Sequence, residues 1–152
     1  MLRITKLSDY AVLVLADLLD PREGAALAAR DVAERTGIPG PTVSKVLKLL
    51  ARGRLVVSER GKNGGYRLAR PAEEISVAEI VTAVEGPIAV TECASSTEHR
   101  SCAHAGRCAT EANWVRINDA IRQTLRGISL ADMVKPNLPV LIPLRRLVAA
   151  DG

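Results

Sequence analysis

Between Gly37 and Ala69 the chain sets out a short turn, an amphipathic helix and two strand-like runs around a glycine-rich tip. Few folds accept that order. Gly37-Ile38-Pro39-Gly40 is the turn, and Pro41 is tolerated in the first turn of the helix that follows. Val43, Val46, Leu47 and Leu50 recur at the i, i+3, i+4, i+7 spacing of one buried stripe, with Pro41, Ser44, Lys45, Lys48 and Arg52 opposite. Leu55 to Glu59 and Tyr66 to Ala69 read as strands, and the tip between them, Arg60-Gly61-Lys62-Asn63-Gly64-Gly65, holds an Asn-Gly pair suited to a tight hairpin turn. A shorter helix over residues 29–36, with Val32 and Ala33 inward and Gly37 as a left-handed cap, precedes the turn. Helix, turn, helix, hairpin is the order of a winged helix-turn-helix, whose second helix can lie in a DNA major groove with its apolar back on a core.

Charge follows the same division. Residues 1–70 carry thirteen Lys and Arg against seven Asp and Glu, whereas residues 71–152 carry eight against ten. The excess is steepest over 40–70, where eight basic residues face only Glu59, the electrostatic footprint of a nucleic-acid binder. Gly64-Gly65 lacks the lysine-containing spacing of a nucleotide loop, so the hairpin reading is preferred. Phe is absent, so a core must be built from Ala, Val, Leu and Ile. No apolar run approaches the roughly 20 residues that span a bilayer, and the first residues lack the pattern of a secretory signal. A cytoplasmic protein without membrane contact is expected.

The remaining elements are helical. A first helix is expected over 8–19, capped by Ser8 or Asp9, with Val12, Leu15, Leu18 and Leu19 on one side. A fourth begins around Ile75 to Val81 and ends at Gly86-Pro87. A long helix over about 109–126 places Trp114, Ile117, Ile121, Leu125 and Ile128 on one stripe, whose near-heptad rhythm fits pairing with a second copy. The tail from Pro136 holds few helix signals.

All three cysteines, Cys93, Cys102 and Cys108, and both histidines, His99 and His104, fall in one short loop. An odd thiol count excludes a fully paired disulfide framework. Thiolates are the usual ligands of iron–sulfur clusters, and Arg100 and Arg107 can offset the charge of a ligated one. The paired knuckles of structural zinc are missing, although three Cys with a His could make such a site. A metal-free thiol switch is the other alternative. Catalysis by Cys102 or Cys108 with His104 would lack a third orienting residue and an oxyanion site, so no enzyme and no small-molecule substrate are expected.

The residues from Leu2 to Ala11, Pro41-Thr42-Val43-Ser44-Lys45-Val46-Leu47, Gly64-Gly65-Tyr66-Arg67-Leu68 and the cysteine loop together resemble the Rrf2 family of bacterial transcription regulators. Thr91-Glu92-Cys93 and the run from Asn113 to Asn118 look most like its subgroup regulating the SUF iron–sulfur assembly system. The resemblance covers about residues 1–134. It implies a mainly α fold with a small β-hairpin wing and a long dimerisation helix, and a homodimer bound to a palindromic double-stranded DNA operator as a repressor. It also implies a [2Fe–2S] or [4Fe–4S] cluster on Cys93, Cys102 and Cys108, while nitric oxide, thiol redox state or zinc are the signals left open. The fourth ligand varies in the family: one solution falls here on Glu111, another takes Asp9 from the partner subunit, and His104 is the loop's own candidate. The DNA-facing set is Pro41, Thr42, Ser44, Lys45 and Lys48 on the helix with Arg60, Lys62 and Gly64 on the wing. The dimer seam is Trp114, Ile117, Ile121 and Leu125. The expected organisation is a DNA-binding domain over 1–86, a cluster-binding loop over 87–108, a dimerisation helix with a following short helix over 109–134, and a tail over 135–152.

Overall fold

The computed structural model describes residues 4–19, 26–61, 64–94 and 107–135. Helices α1 (Lys6–Asp17), α2 (Ala29–Thr36) and α3 (Gly40–Arg52) are followed by the antiparallel strands β1 (Val56–Glu59) and β2 (Gly65–Leu68). Then come a short 3-10 turn (Ala72–Glu74), α4 (Val77–Glu85), a second such turn (Glu92–Ala94), α5 (Glu111–Arg126) and α6 (Leu130–Val134). This is the mainly helical winged fold that the sequence pattern predicts. Cys102, His99, His104, Lys62 and the expected tail from Pro136 lie outside the described residues.

The core forms where α1, α3 and α4 pack together. Val43, Val46, Leu47 and Leu50 of α3 are fully buried, beside Ala11, Val14 and Leu15 of α1 and Ile80 of α4. Each buried residue of the cluster is Ala, Val, Leu or Ile, as a chain without Phe requires. Truncating one such leucine costs about 2–5 kcal/mol, because the site collapses only partly around the lost volume.

Local chemistry departs from the sequence reading at two places. Helix α1 starts earlier than expected: Thr5, not Ser8 or Asp9, is its cap, its hydroxyl accepting the Ser8 amide at 3.4 Å. Ser8 is instead buried and donates through its hydroxyl to Glu85 of α4, which also accepts the Thr5 amide at 3.2 Å and hydroxyl at 2.9 Å. The last rung of the hairpin is Glu59 with Gly65, and Asn63 of the expected Asn-Gly turn lies outside the described residues. Secondly, α5 ends at Arg126 as expected, so Ile128 lies beyond it and leaves the apolar stripe; its carbonyl accepts the Val77 amide at 2.9 Å.

Two short pairings tie the fold together. Leu27 exchanges both backbone hydrogen bonds with Tyr66, at 2.9 and 2.8 Å, adding one rung to the hairpin from the segment before α2. Ser129 pairs with Ser76, and α6 beyond it returns Leu130 and Ala131 to the core of the N-terminal helices. Gly37 holds the left-handed φ of 69° that ends α2, as expected of a glycine cap.

Helix α4 begins with a capping box: the Ser76 hydroxyl accepts the Glu79 amide, and the Glu79 carboxylate accepts the Ser76 amide at 2.9 Å and hydroxyl at 2.8 Å. Arg70 donates to the same carboxylate at 2.6 Å. Burial works against the charge of Glu79, but the hydrogen bonds from Arg70 and Ser76 outweigh it and hold the carboxyl below its ordinary 4.5. A lowered carboxyl contributes stability above its unfolded value and loses it as pH falls through the folded one. Glu79→Gln should therefore lower the urea midpoint at neutral pH by the equivalent of about 1 kcal/mol or less, since the pair is half-exposed. The gap from the parent protein should close as the pH falls below 4.5. A gap independent of pH would mean that the charge of Glu79 is not what matters.

Candidate nucleic-acid interface and cysteine segment

Burying one side of α3 decides what the other side presents. Pro41, Lys45 and Lys48 are exposed, and Thr42 and Ser44 are half-buried at the edge of the same face. Lys45 and Lys48 are three residues apart and so neighbours on the helix surface. Arg52 and Arg54 continue the exposed basic surface at the helix end, and Arg60 begins the tip of the wing. The one nearby carboxylate, Glu59, is taken by Arg67 across the hairpin. Lys45, Lys48, Arg52, Arg54 and Arg60 have no ion-pair partner among the described residues. Their charge is uncompensated, which suits a polyanion.

The wing is fixed by close backbone approach. A Cβ on Gly65 would stand 2.4 Å from the Leu27 carbonyl oxygen, and one on Gly64 would stand 2.4 Å from that of Glu59. The Gly-Gly pair thus has a packing reason: it lets three chain segments lie side by side. Gly64 closes the tip by donating its amide to the Gly61 carbonyl at 3.0 Å.

Two cysteines fall within the described residues. Cys93 lies on the 3-10 turn Glu92–Ala94, and Cys108 lies just before α5. The half-buried thiol of Cys108 sits 3.2 Å from the Thr110 hydroxyl, and the Cys108 carbonyl accepts the Glu111 amide at 3.3 Å. Hydrogen bonds from the Thr110 side chain, then from its amide and that of Glu111, lower the Cys108 thiol, against some burial and the charge of Glu111. Such a site favours the thiolate, the form that binds metals. Asp9 is exposed in the first turn of α1, with no hydrogen-bond partner for its carboxylate among the described residues. Glu111 opens α5 and is half-buried. Among the described residues, no three His, Cys, Asp or Glu side chains gather to hold an ion.

Helix α5 has two unlike faces. Asn118 is its one buried residue among those described: its side chain accepts the Val90 amide at 3.1 Å and donates to the Ala94 carbonyl at 3.4 Å. Ile121 and Leu125 line a groove of about 370 Å³ with Ile4, Val81, Pro87 and Ile88. Trp114 and Ile117 stand 39% and 44% exposed on the same helix.

This fold and these residues match a known group. The family model described as Rrf2, iron-dependent transcriptional regulator, matches residues 4–136. The chain belongs to the Rrf2 family. The HTH-type transcriptional regulator IscR of Xenorhabdus nematophila is 36% identical over 135 residues, covering 88% of this chain and 80% of that one. IscR of Serratia proteamaculans is 34% identical over 142 residues, covering 93% and 84%. Among solved structures, T. potens IscR gives a TM-score of 0.65 at 26% identity and covers 99% of this chain and 94% of that one. CymR, the global cysteine regulator of B. subtilis, gives 0.66 at 24% identity, covers 88% and 96%, and supports the fold alone.

This Rrf2 protein is therefore a winged-helix, DNA-binding transcriptional regulator, and its relatives are regulators rather than enzymes. No described helix is long and apolar enough to cross a membrane. Two residues escaped the sequence reading. Leu27 gave no pattern, because a single rung has no period. Asn118 could have been found, since it lies four residues from Trp114 and three from Ile121, beside the apolar stripe.

The wing geometry sets a test. Gly65→Ala should destabilise the protein by about 1–3 kcal/mol and weaken DNA binding with it, because backbone must move to admit the methyl group. Gly40→Ala, which meets nothing within 4 Å, is the control and should change neither. Equal thermal midpoints for the two variants would contradict the packed Leu27 rung.

Proposed function

We propose that this Rrf2 protein is an iron–sulfur-sensing repressor that binds a palindromic operator as a homodimer and controls genes of SUF cluster assembly. The observation that carries the reading is the placement of two cysteines against α5. Cys108 stands at its start with a lowered thiol, and Cys93 is on a turn bound to its middle. The donor set fits an iron–sulfur cluster, since thiolate is the required form and Cys102 completes three sulfur ligands. Such a cluster, when bound, supplies a joint that iron supply and oxidants can break. Cys93, Cys102 and Cys108 would hold it.

The chain's own residues do the rest. Ser44 and Lys45 meet base edges, Thr42 and Pro41 set the start of α3, and Lys48, Arg60, Lys62 and Gly64 meet phosphate. Trp114, Ile117, Ile121 and Leu125 form the seam with a second copy; the exposure of Trp114 and Ile117 in a single chain supports this. Asp9 supplies the fourth ligand across that seam, because Thr5 performs the capping that Asp9 would otherwise do. A ligand from the partner would make cluster loss change how the two winged units sit, and so DNA affinity.

A second reading is a thiol-redox regulator using the same cysteines without metal, favoured by the lowered Cys108 thiol. Anaerobic reconstitution with iron and sulfide, followed by a visible spectrum and iron and sulfide counts, separates the two. Coloured protein is expected; colourless protein whose DNA binding still follows thiol oxidation would establish the second reading. Within the coloured protein, Asp9→Ala should bleach faster in air than Glu111→Ala or His104→Ala. Preserved colour and air stability in Asp9→Ala, with loss in one of the others, would remove Asp9 from the site. Ile121→Glu should sediment as a monomer, since an unpaired carboxylate in an apolar seam is strongly unfavourable. A dimeric variant would place the interface elsewhere.

A further inference from the structure

We infer that Asn118 is a positioning residue for Cys93: it fastens the cysteine-bearing turn to α5, so that Cys93 and Cys108 are carried by one helix. The inference rests on the cysteine site proposed above and adds a residue to it. Asn118 is 2% exposed in a helix whose other described residues all reach solvent. A buried amide is costly unless its donor and acceptor are both used, and here both are. The bonds go to the Val90 amide and the Ala94 carbonyl, the two ends of a five-residue segment with Cys93 inside it. Within that segment the Ala94 amide also closes back on the Thr91 carbonyl at 3.0 Å. The clamp therefore grips a turn that is already folded on itself.

The chemistry of the side chain matters as much as its burial. An asparagine offers a carbonyl oxygen to one backbone amide and an NH₂ to a backbone carbonyl, and so joins both ends of the turn to one side chain of α5. Leucine or alanine would leave both backbone groups unpaired, and aspartate could satisfy only the Val90 end. Asn118 thus reaches both ends of the segment from Val90 to Ala94 with one side chain. Cys108 needs no such device, because the first turn of α5 fixes it directly.

The test uses the full-length apo protein and two internal comparisons. Asn118→Ala should raise hydrogen exchange at the Val90 amide by about tenfold and shift the ratio of Cys93 to Cys108 alkylation by iodoacetamide by a similar factor. Exchange at Leu47 and Leu50 in the core should stay unchanged. Asn118→Asp should keep the protected Val90 amide while still altering the Cys93 to Cys108 ratio. Unchanged Val90 exchange and an unchanged ratio in Asn118→Ala would overturn the inference. So would a uniform rise that includes Leu47 and Leu50, which would make Asn118 a general stabiliser. After anaerobic reconstitution, Asn118→Ala should bleach faster in air than the parent. If the ratio shifts as expected while the parent protein takes up no iron or sulfide, the positioning of Cys93 stands and the cluster reading falls.

Discussion

The structure depends on the aliphatic back of α3. Val43, Val46, Leu47 and Leu50 are wholly removed from water, and the aromatic rings of Tyr10 and Tyr66 pack against the cluster only from its partly buried edge. Domains of this size are stable by only about 5–15 kcal/mol, so one truncated leucine removes a large share of the total. Seating that stripe on α1 and α4 also fixes the rotation of α3. A rotation by one residue would carry about 100° of helix surface with it and move Lys45 and Lys48 off the exposed face. The hydrophobic core and the basic face are thus two sides of a single constraint.

Helix α5 is governed by a different balance. Its buried contact is polar, through Asn118, and its apolar side chains are only partly covered. Ile121 and Leu125 reach back to the groove beside α4, whereas Trp114 and Ile117 do not. The helix is anchored at both ends by backbone chemistry: Cys108 and Thr110 precede it, and Ile128 and Leu130 beyond it bond to the start of α4. A helix held this way can transmit a change in the cysteine segment to the N-terminal core, because α6 and α4 are in that core.

Much of this was legible in residue order. The period of the α3 stripe, the glycine stop at Gly37 and the two strand runs each carry a local physical signal, and the fold follows them. The cap of α1 was misplaced because Thr5, Ser8 and Asp9 are all competent caps; only the position of Glu85 on another helix decides among them. Asn63 of the expected wing turn lies outside the described residues, and the wing is defined by its rungs, Leu27 with Tyr66 and Glu59 with Gly65. The cysteine site was legible as composition rather than geometry. Three thiols in one loop announce a chemistry, but the turn that carries Cys93 is held to α5 through Asn118, which the sequence marked only as the end of the run from Asn113.

The basic face of α3 is free to meet phosphate because its back is locked into the core. The salt dependence of binding to duplex DNA reads this directly, since each phosphate contact releases counterions. Lys48→Ala should reduce the slope of log affinity against log salt by about one unit, with the thermal midpoint unchanged. A slope equal to that of the parent protein would contradict the account, because the outward face of α3 would then not be the surface that DNA touches.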